Sequence, residues 1–329
     1  MRLMLVVNTS ASSVTARDRV VVQKALSADH EVTLRETNRR GHAARLAQGA
    51  AADGYDCVAV LGGDGTLNEA ANGLAHSQTA LAVLPGGSTN VFARTVGMAN
   101  DPIEATGQLL GALAKGSVKS VSLGQLNGRY FLFHAGIGFD AAVVAQVERL
   151  SFLKRYAGPA LFIAAALYTW AIGYDRRRPT FRLEATTLEA RPGGARPGVP
   201  ASSWASAKAG TPTGGPQSGY FCICLNTDPY TFLGDRPVRV APGTSLETPL
   251  TLVTFGSLSL STLLPVVTGA LRKRGTPGPW RNVRTLSGTQ KATLRGERPM
   301  PYQLDGDYIG ETDFIELRWA QQALRLVVP

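Results

Sequence analysis

The chain is poor in residues that build covalent or metal-held scaffolds: of 329 residues only 3 are cysteine and 4 are histidine. The odd count of Cys57, Cys222 and Cys224 excludes a closed disulfide framework, and Cys222-x-Cys224 inside an apolar run lacks zinc-site spacing. All three are expected as reduced core thiols. His30, His42, His76 and His134 are scattered without partners at metal-ligand spacing and are expected to be structural. Acids are scarce beside bases, 24 against 34, which leaves a formal charge of +10. That excess favours an anionic partner: a nucleotide, an anionic membrane surface or a nucleic acid. No recognition module and no interleaving of aromatic with basic residues is present, so nucleic acid ranks last and is not expected as a partner. Long apolar runs are missing apart from Ala157–Tyr174, flanked by Lys154-Arg155 and Arg176-Arg177-Arg178. This run is at the lower limit for a membrane span, but Gly158-Pro159 marks a helix start within it and a lone span would split a domain. A helix buried at a domain interface or bordering a lipid-binding cleft is expected instead. Met1–Val7, with one basic residue and a very short apolar run, reads as a first strand rather than a signal peptide, so a cytoplasmic location is expected.

With 44% hydrophobic and 18% charged residues the chain is globular, and its length suggests two domains. Its organising stretch is Val58-Ala59-Val60-Leu61-Gly62-Gly63-Asp64-Gly65-Thr66-Leu67-Asn68-Glu69, a buried-strand pattern passing through a glycine turn into a helix. Glycines there permit close approaches that a Cβ blocks, and successive N–H groups with a helix N-terminus make a nest for a polyphosphate. Asp64 can hold a metal or a phosphate-bound water beside it. An ordinary tight turn is the competing reading. Ala80–Leu84 repeats the strand, and Pro85-Gly86-Gly87-Ser88-Thr89-Asn90 the turn, so both turns are expected at the carboxyl edge of neighbouring parallel strands.

In chain order, Leu3–Val7 is a strand ending in Asn8-Thr9-Ser10-Ala11-Ser12, whose polar side chains suit either helix capping or phosphate contact. Alternating strands and helices to about residue 115 predict a doubly wound parallel α/β sheet. Residues 1–122 are read as this nucleotide-binding domain and 123–329 as a β-rich, sandwich-like second domain. The second opens with a hairpin, Ser117–Gly124 to Arg129–His134, through Asn127-Gly128. Asp140, after Gly136 and Gly138, is expected to cap a helix. Residues 190–219, rich in Pro, Gly, Ser and Ala, read as a disordered insertion in which Trp204 is incidental. Leu258–Arg274 reads as a helix ending in Arg272-Lys273-Arg274, a cluster that suits a solvated face or a membrane equally. Phe314–Trp319 and Ala323–Val328 read as a closing pair of strands.

Gly62-Gly63-Asp64-Gly65-Thr66, the Pro-x-Gly-Ser-x-Asn element at 85–90, Gly136-Ile137-Gly138-Phe139-Asp140-Ala141 and Leu304-Asp305-Gly306-Asp307 together resemble the diacylglycerol kinase catalytic-domain lipid kinases, which include bacterial diacylglycerol kinases and sphingosine kinases. The resemblance extends over nearly the whole chain. It implies the fold shared with NAD kinases and phosphofructokinases, with Asn8, Ser10, Ser12, Thr37, Gly62, Gly63, Asp64, Gly65, Thr66, Asn68, Gly87, Ser88 and Asn90 around ATP and Mg²⁺ at Asp64. It also implies transfer of the γ-phosphate to a lipid hydroxyl in a cleft between the domains. Diacylglycerol leads as acceptor, ahead of a sphingoid base or another lipid alcohol; an NAD kinase-like enzyme and a nucleotide-binding regulator without turnover are the alternatives. Asp307, in the place of the family's catalytic glutamate, is the expected base, with Asp305 its competitor and Asp64 the third catalytic candidate. The expected partner is lipid at an anionic membrane surface, met by peripheral association, and a homodimer is compatible with this. Several acids common in the family are replaced, by Val91, by Ser122 and by Glu247-Thr248-Pro249, so the family's structural metal site is not carried over.

Overall fold

Short apolar runs without polar alternation need cover on both faces, and three of them, with the more polar edge strand Glu31–Glu36 beside them, form the parallel sheet of the first unit. The computed structural model describes residues 1–149, 161, 163–175, 178–187, 217–272 and 280–329. Its first compact unit comprises Met1–Leu123 and Ala320–Pro329, its second Gly124–Trp319. The first runs β1 (Arg2–Val7), α1 (Ala16–Ser27), β2 (Glu31–Glu36), α2 (His42–Ala52), β3 (Cys57–Gly62), α3 (Asp64–Leu74), β4 (Ala80–Pro85), α4 (Val91–Thr95), α5 (Pro102–Ala114) and the start of β5 (Val118–Leu126). β3 and β4 are buried at every residue. The parallel order is β4-β3-β1-β2, so connections leave β1 in one direction and reach β3 in the other. Local chemistry sets the helix starts. Thr15 and Asp18 form a capping box before α1, and Asp101 accepts the N–H of Ile103 and Glu104 with Pro102 opening α5.

The chain's last residues correct the sequence reading. No hairpin separates 314–319 from 323–328: one strand, β15 (Asp307–Val327), runs through both, with Gln322 at φ 49. Its end pairs in parallel with β4, Leu326 opposite Leu81, and so belongs to the first unit rather than to a domain spanning 123–329. Four small or apolar side chains there, Ala323, Leu324, Leu326 and Val327, are buried.

The second unit adds β6 (Arg129–Phe131), β7 (His134–Gly138), α6 (Phe139–Arg149), β8 (Phe181–Thr187), β9 (Gln217–Gly219), β10 (Phe221–Leu225), β11 (Thr231–Leu233), β12 (Arg236–Val238), β13 (Leu250–Phe255) and β14 (Val283–Leu304). The β5–β6 hairpin turns at Asn127 and Gly128, both at positive φ, as an Asn-Gly turn of this type requires. β14 pairs with β13 near its start and with β7 near its end, and with β8 and β15 between. Inward side chains of β7, β10 and β13 thereby meet those of β8, β14 and β15 in one core that includes Cys222 and Cys224. Burial raises all three thiols, Cys57 and Cys222 to about 12, as inert core cysteines should be.

Residues 161 and 163–168 are helical and continue into a π-helical turn, Thr169–Gly173; a second helix spans Leu260–Ala270. Among the described residues no helix is long and apolar enough to cross a membrane. Of the expected insertion, 190–216 lies outside the described residues, as do Lys154-Arg155, Gly158-Pro159, Arg176-Arg177 and Lys273-Arg274. Gln217–Gly219 is ordered as β9 against β8.

Candidate functional site

In the first unit the carboxyl ends of β1, β2, β3 and β4 bring four turns to one edge. The order reverses between β1 and β3, the place where open α/β sheets bind ligands. α3 begins there at Asp64 behind Gly63, which makes no side-chain cap bond, so the positive end of the helix dipole faces this edge. Gly63, Asp64 and Gly65 are half-buried and Ser88 is exposed.

The two glycine turns lie on each other. A Cβ on Gly86 would stand 2.9 Å from the Gly62 Cα and 2.6 Å from a Val14 methyl; one on Gly87 would stand 2.8 Å from the Gly63 Cα. The Gly86 N–H also donates to the Gly62 carbonyl at 2.9 Å. Glycine at these positions therefore lets turn approach turn, where the sequence reading had invoked approach to a ligand. Ser13, absent from the sequence reading of the site, ties the turn after β1 to the glycine turn after β4: its N–H donates to the Gly86 carbonyl and its hydroxyl to the Gly87 carbonyl, each at 3.0 Å.

The polar residues named from sequence divide by exposure. Ser10 and Ser12 are exposed, and Asn8 and Thr37 half-buried, at the edge itself. Asn8 braces the edge: its amide donates to the Thr66 hydroxyl at 2.9 Å and its carbonyl accepts the Ser10 N–H. Gly62, Thr66, Asn68 and Asn90 are buried. Asn68 accepts from the Asn72 amide, and Asn90, at φ 50, accepts the Gly87 N–H at 2.7 Å and returns a bond to the Gly87 carbonyl. Asn90 thus holds its turn from inside, while the Asn68 bond stays within α3. Glu69 has a parallel role, accepting N–H groups of Gly41 and Ala43 at the start of α2.

Asp64 reaches across to α4. Its carboxylate accepts the N–H of Val91 at 2.9 Å and of Phe92 at 3.0 Å, one on each oxygen, which joins the two glycine turns through a charge-assisted cap. No group of three or more His, Cys, Asp or Glu that could hold a metal ion occurs among the described residues.

In the second unit the β14–β15 turn is Asp305-Gly306-Asp307, with Asp305 at φ 49 and Gly306 at φ 82. Asp305 is buried and its carboxylate accepts three backbone N–H groups, from Leu132 at 2.7 Å, Phe133 at 2.9 Å and His134 at 3.1 Å. This is an anchoring role. Asp307 is half-buried at the other end of the turn. A relay fixes the turn: the Tyr230 hydroxyl donates to Asp140 at 2.6 Å, the Gln303 amide donates to the other Asp140 oxygen at 2.8 Å, and the Gln303 carbonyl accepts the Gly306 N–H at 2.8 Å. Asp140 is thus spent on Tyr230 and Gln303, and is not the helix cap expected of it. Its side chain occupies the space a Gly136 Cβ would take, 1.7 Å from that position, which is why β7 carries glycine there. Burial raises the Asp140 carboxyl above its usual range against the lowering effect of both hydrogen bonds.

Glu148 completes the support by accepting the Tyr308 N–H at 3.0 Å. Asp140 and Glu148 are eight residues apart on α6 and so share a helix face, a spacing that could have revealed Glu148. Tyr230 and Gln303 left no comparable signal.

Residues 2–126 match the family model described as the diacylglycerol kinase catalytic domain. Over 151 residues the chain is 35% identical to the Pseudomonas aeruginosa protein named "Probable lipid kinase YegS-like", covering 45% of this chain and 48% of that one. Over 120 residues it is 37% identical to the diacylglycerol kinase of Bacillus subtilis, covering 36% and 39%. The matches thus span about half the length of these relatives or less. A solved diacylglycerol kinase structure from Bacillus anthracis is similar in fold over 100% of this chain and 97% of its own, with a TM-score of 0.68 at 18% identity. The resemblance read from the motifs is met in sequence over residues 2–126; beyond them the likeness to the solved structure is one of fold alone.

Proposed function

We propose that the chain is an ATP-dependent lipid kinase that transfers the γ-phosphoryl group to a lipid hydroxyl, with diacylglycerol as acceptor and phosphatidic acid as product. The observation that carries this reading is the uncapped start of α3 set against two stacked glycine turns at the sheet's switch point, inside the stretch that matches the catalytic-domain family. The polyphosphate lies over Gly63, Gly65, Gly87 and Ser88, with Ser10, Ser12 and Thr37 at its margins. Asp64, whose carboxylate accepts two N–H groups, is the residue that would hold Mg²⁺ beside the phosphates. When bound, the ion supplies charge neutralisation on the phosphates.

In the second unit Asp307 accepts the proton of the acceptor hydroxyl, whose oxygen forms the new bond to the γ-phosphorus as the bond to the bridging oxygen of ADP breaks. Asp305 holds the turn from its buried side, and the Asp140–Gln303 relay sets the backbone of Gly306 next to the base. A lipid acceptor and the charge of +10 together suit work at the cytoplasmic surface of an anionic membrane.

The test is incubation of the purified chain with ATP labelled at the γ-phosphate and a panel of diacylglycerol, monoacylglycerol, sphingosine and NAD. Label is expected in phosphatidic acid. Label in another product reassigns the acceptor, and ATP binding with no transfer to any acceptor identifies a nucleotide-binding regulator instead.

A further inference from the structure

Two helical segments of the second unit, residues 161 and 163–173 and the helix Leu260–Ala270, contain no charged residue. Their inner sides are packed. Leu161 and Ala165 meet Val147, while Trp170 packs against the cluster that holds Phe221, Phe255, Leu258 and Val266 and donates its indole N–H to the Leu258 carbonyl at 2.8 Å, two residues before the second segment. Their outer sides are largely apolar as well, with exposed Ser261 and Thr268 on the second. Ile163, Leu167, Tyr168 and Ile172 on one, and Leu260, Leu264 and Val267 on the other, are at least 50% exposed, and Ile172 reaches 75%. The only other exposed large apolar side chains among the described residues are Met1, Val20, Ile103 and Leu233, so exposure of this kind is concentrated here. A concentration of exposed large apolar side chains on uncharged helices marks an interaction surface.

We infer that these two helical faces form a membrane-docking surface, which lies in the headgroup region of an anionic bilayer and brings the chain to its lipid substrate. The inference rests on the lipid kinase reading and deepens it by naming the surface. Charge selects the occupant. Exposed Arg178 and Arg272 follow the two segments, and Asp175 is ion-paired with Arg298 at 2.9 Å. A second copy would bring the same arginines and another +10 against them, whereas anionic headgroups neutralise both. Tyr168 suits the interface, with an apolar ring and a polar end. The geometry is that of a surface helix: the 11 residues of Leu260–Ala270 cover about 16 Å at the rise of a helix, about half the hydrocarbon thickness.

The experiment is sedimentation of the purified chain with phosphatidylcholine vesicles, with and without a third of phosphatidylglycerol, comparing wild type with Leu167→Asp and Leu264→Asp. Wild type is expected to sediment with the anionic vesicles, and each substitution to weaken binding by about tenfold or more, since each replaces an inserted leucine by a charge. Both positions are exposed, so melting temperature and phosphorylation of a short-chain diacylglycerol dispersed below its micelle concentration should stay at wild-type levels. Failure of wild type to sediment, or variants that sediment like wild type, overturns the inference. Substitutions that turn a dimer into a monomer without affecting sedimentation also overturn it, and assign the face to a second copy. Kinase activity is scored separately: loss of vesicle binding in the variants of a chain that labels no lipid would retain the docking surface and reject the kinase.

Discussion

Asp305 and Asp307 stand two residues apart in one turn, but the N–H groups of Leu132, Phe133 and His134 converge on Asp305. Asp305→Ala leaves three buried donors without their acceptor and should cost at least about 3 kcal/mol, read as a lower urea midpoint. Asp307→Asn should leave the midpoint near wild type and lower kcat by about 10² to 10⁴ at unchanged ATP affinity, with Asp307→Glu active. Wild-type turnover in Asp307→Asn would remove the residue from the mechanism. Asp64→Asn should affect both stability and activity. The amide oxygen can accept one of the Val91 and Phe92 N–H groups, and the amide nitrogen then faces the other as a second donor. A stability loss of about 1 to 3 kcal/mol should accompany the loss of turnover; turnover lost at full stability would place the effect in the metal alone. His134 carries a pH dependence. Burial holds its imidazole neutral and lowers its pKa from 6.5 to about 3, so between these values the unfolded chain binds the extra proton. The stability this contributes is complete above the unfolded value and is lost as pH falls through the window. Between about pH 4 and 6, stability should fall more steeply in wild type than in His134→Phe, by up to about 1.4 kcal/mol per pH unit; equal slopes would show that His134 is protonated in the fold.

At the scale of elements, the stacked turns after β3 and β4 behave as one piece. Gly86→Ala puts a methyl 2.9 Å from the Gly62 Cα, where backbone rather than a flexible side chain must yield. It should cost about 1 to 3 kcal/mol and weaken ATP binding with it, because the displaced partner is the turn that leads into the uncapped start of α3. Calorimetric titration and a thermal melt on the same variant check both. Full ATP affinity at reduced stability would show that the turn contact and the nucleotide site are separate. α6 has the corresponding role in the second unit, where Asp140 and Glu148 on one face hold the backbone on either side of Asp307.

At the scale of the whole molecule, the last ten residues complete the first unit. Removing Ala320–Pro329 takes away the strand segment beside β4 and uncovers the contacts of Ala323, Leu324, Leu326 and Val327. The truncated chain should lose the folding transition of the first unit, followed by hydrogen exchange of the β3 and β4 amides, and with it ATP binding; retention of both would make the segment dispensable. The parallel sheet, its glycine turns and the Asn-Gly hairpin were legible in the sequence because each is local: buried strands write continuous apolar runs, and turns with positive φ select glycine and asparagine. The β14–β15 turn was legible for the same reason. The partners of its carboxylates were not, since Asp305 is bonded to residues more than 170 positions away and Asp140 to Tyr230 and Gln303. Nor did local pattern show that Gly86 and Gly87 face another glycine turn, or that the closing strand changes unit. Side-chain roles at these places depend on which backbone donors and surfaces the fold brings within reach, and that contact is long-range, so tertiary structure alone decided it.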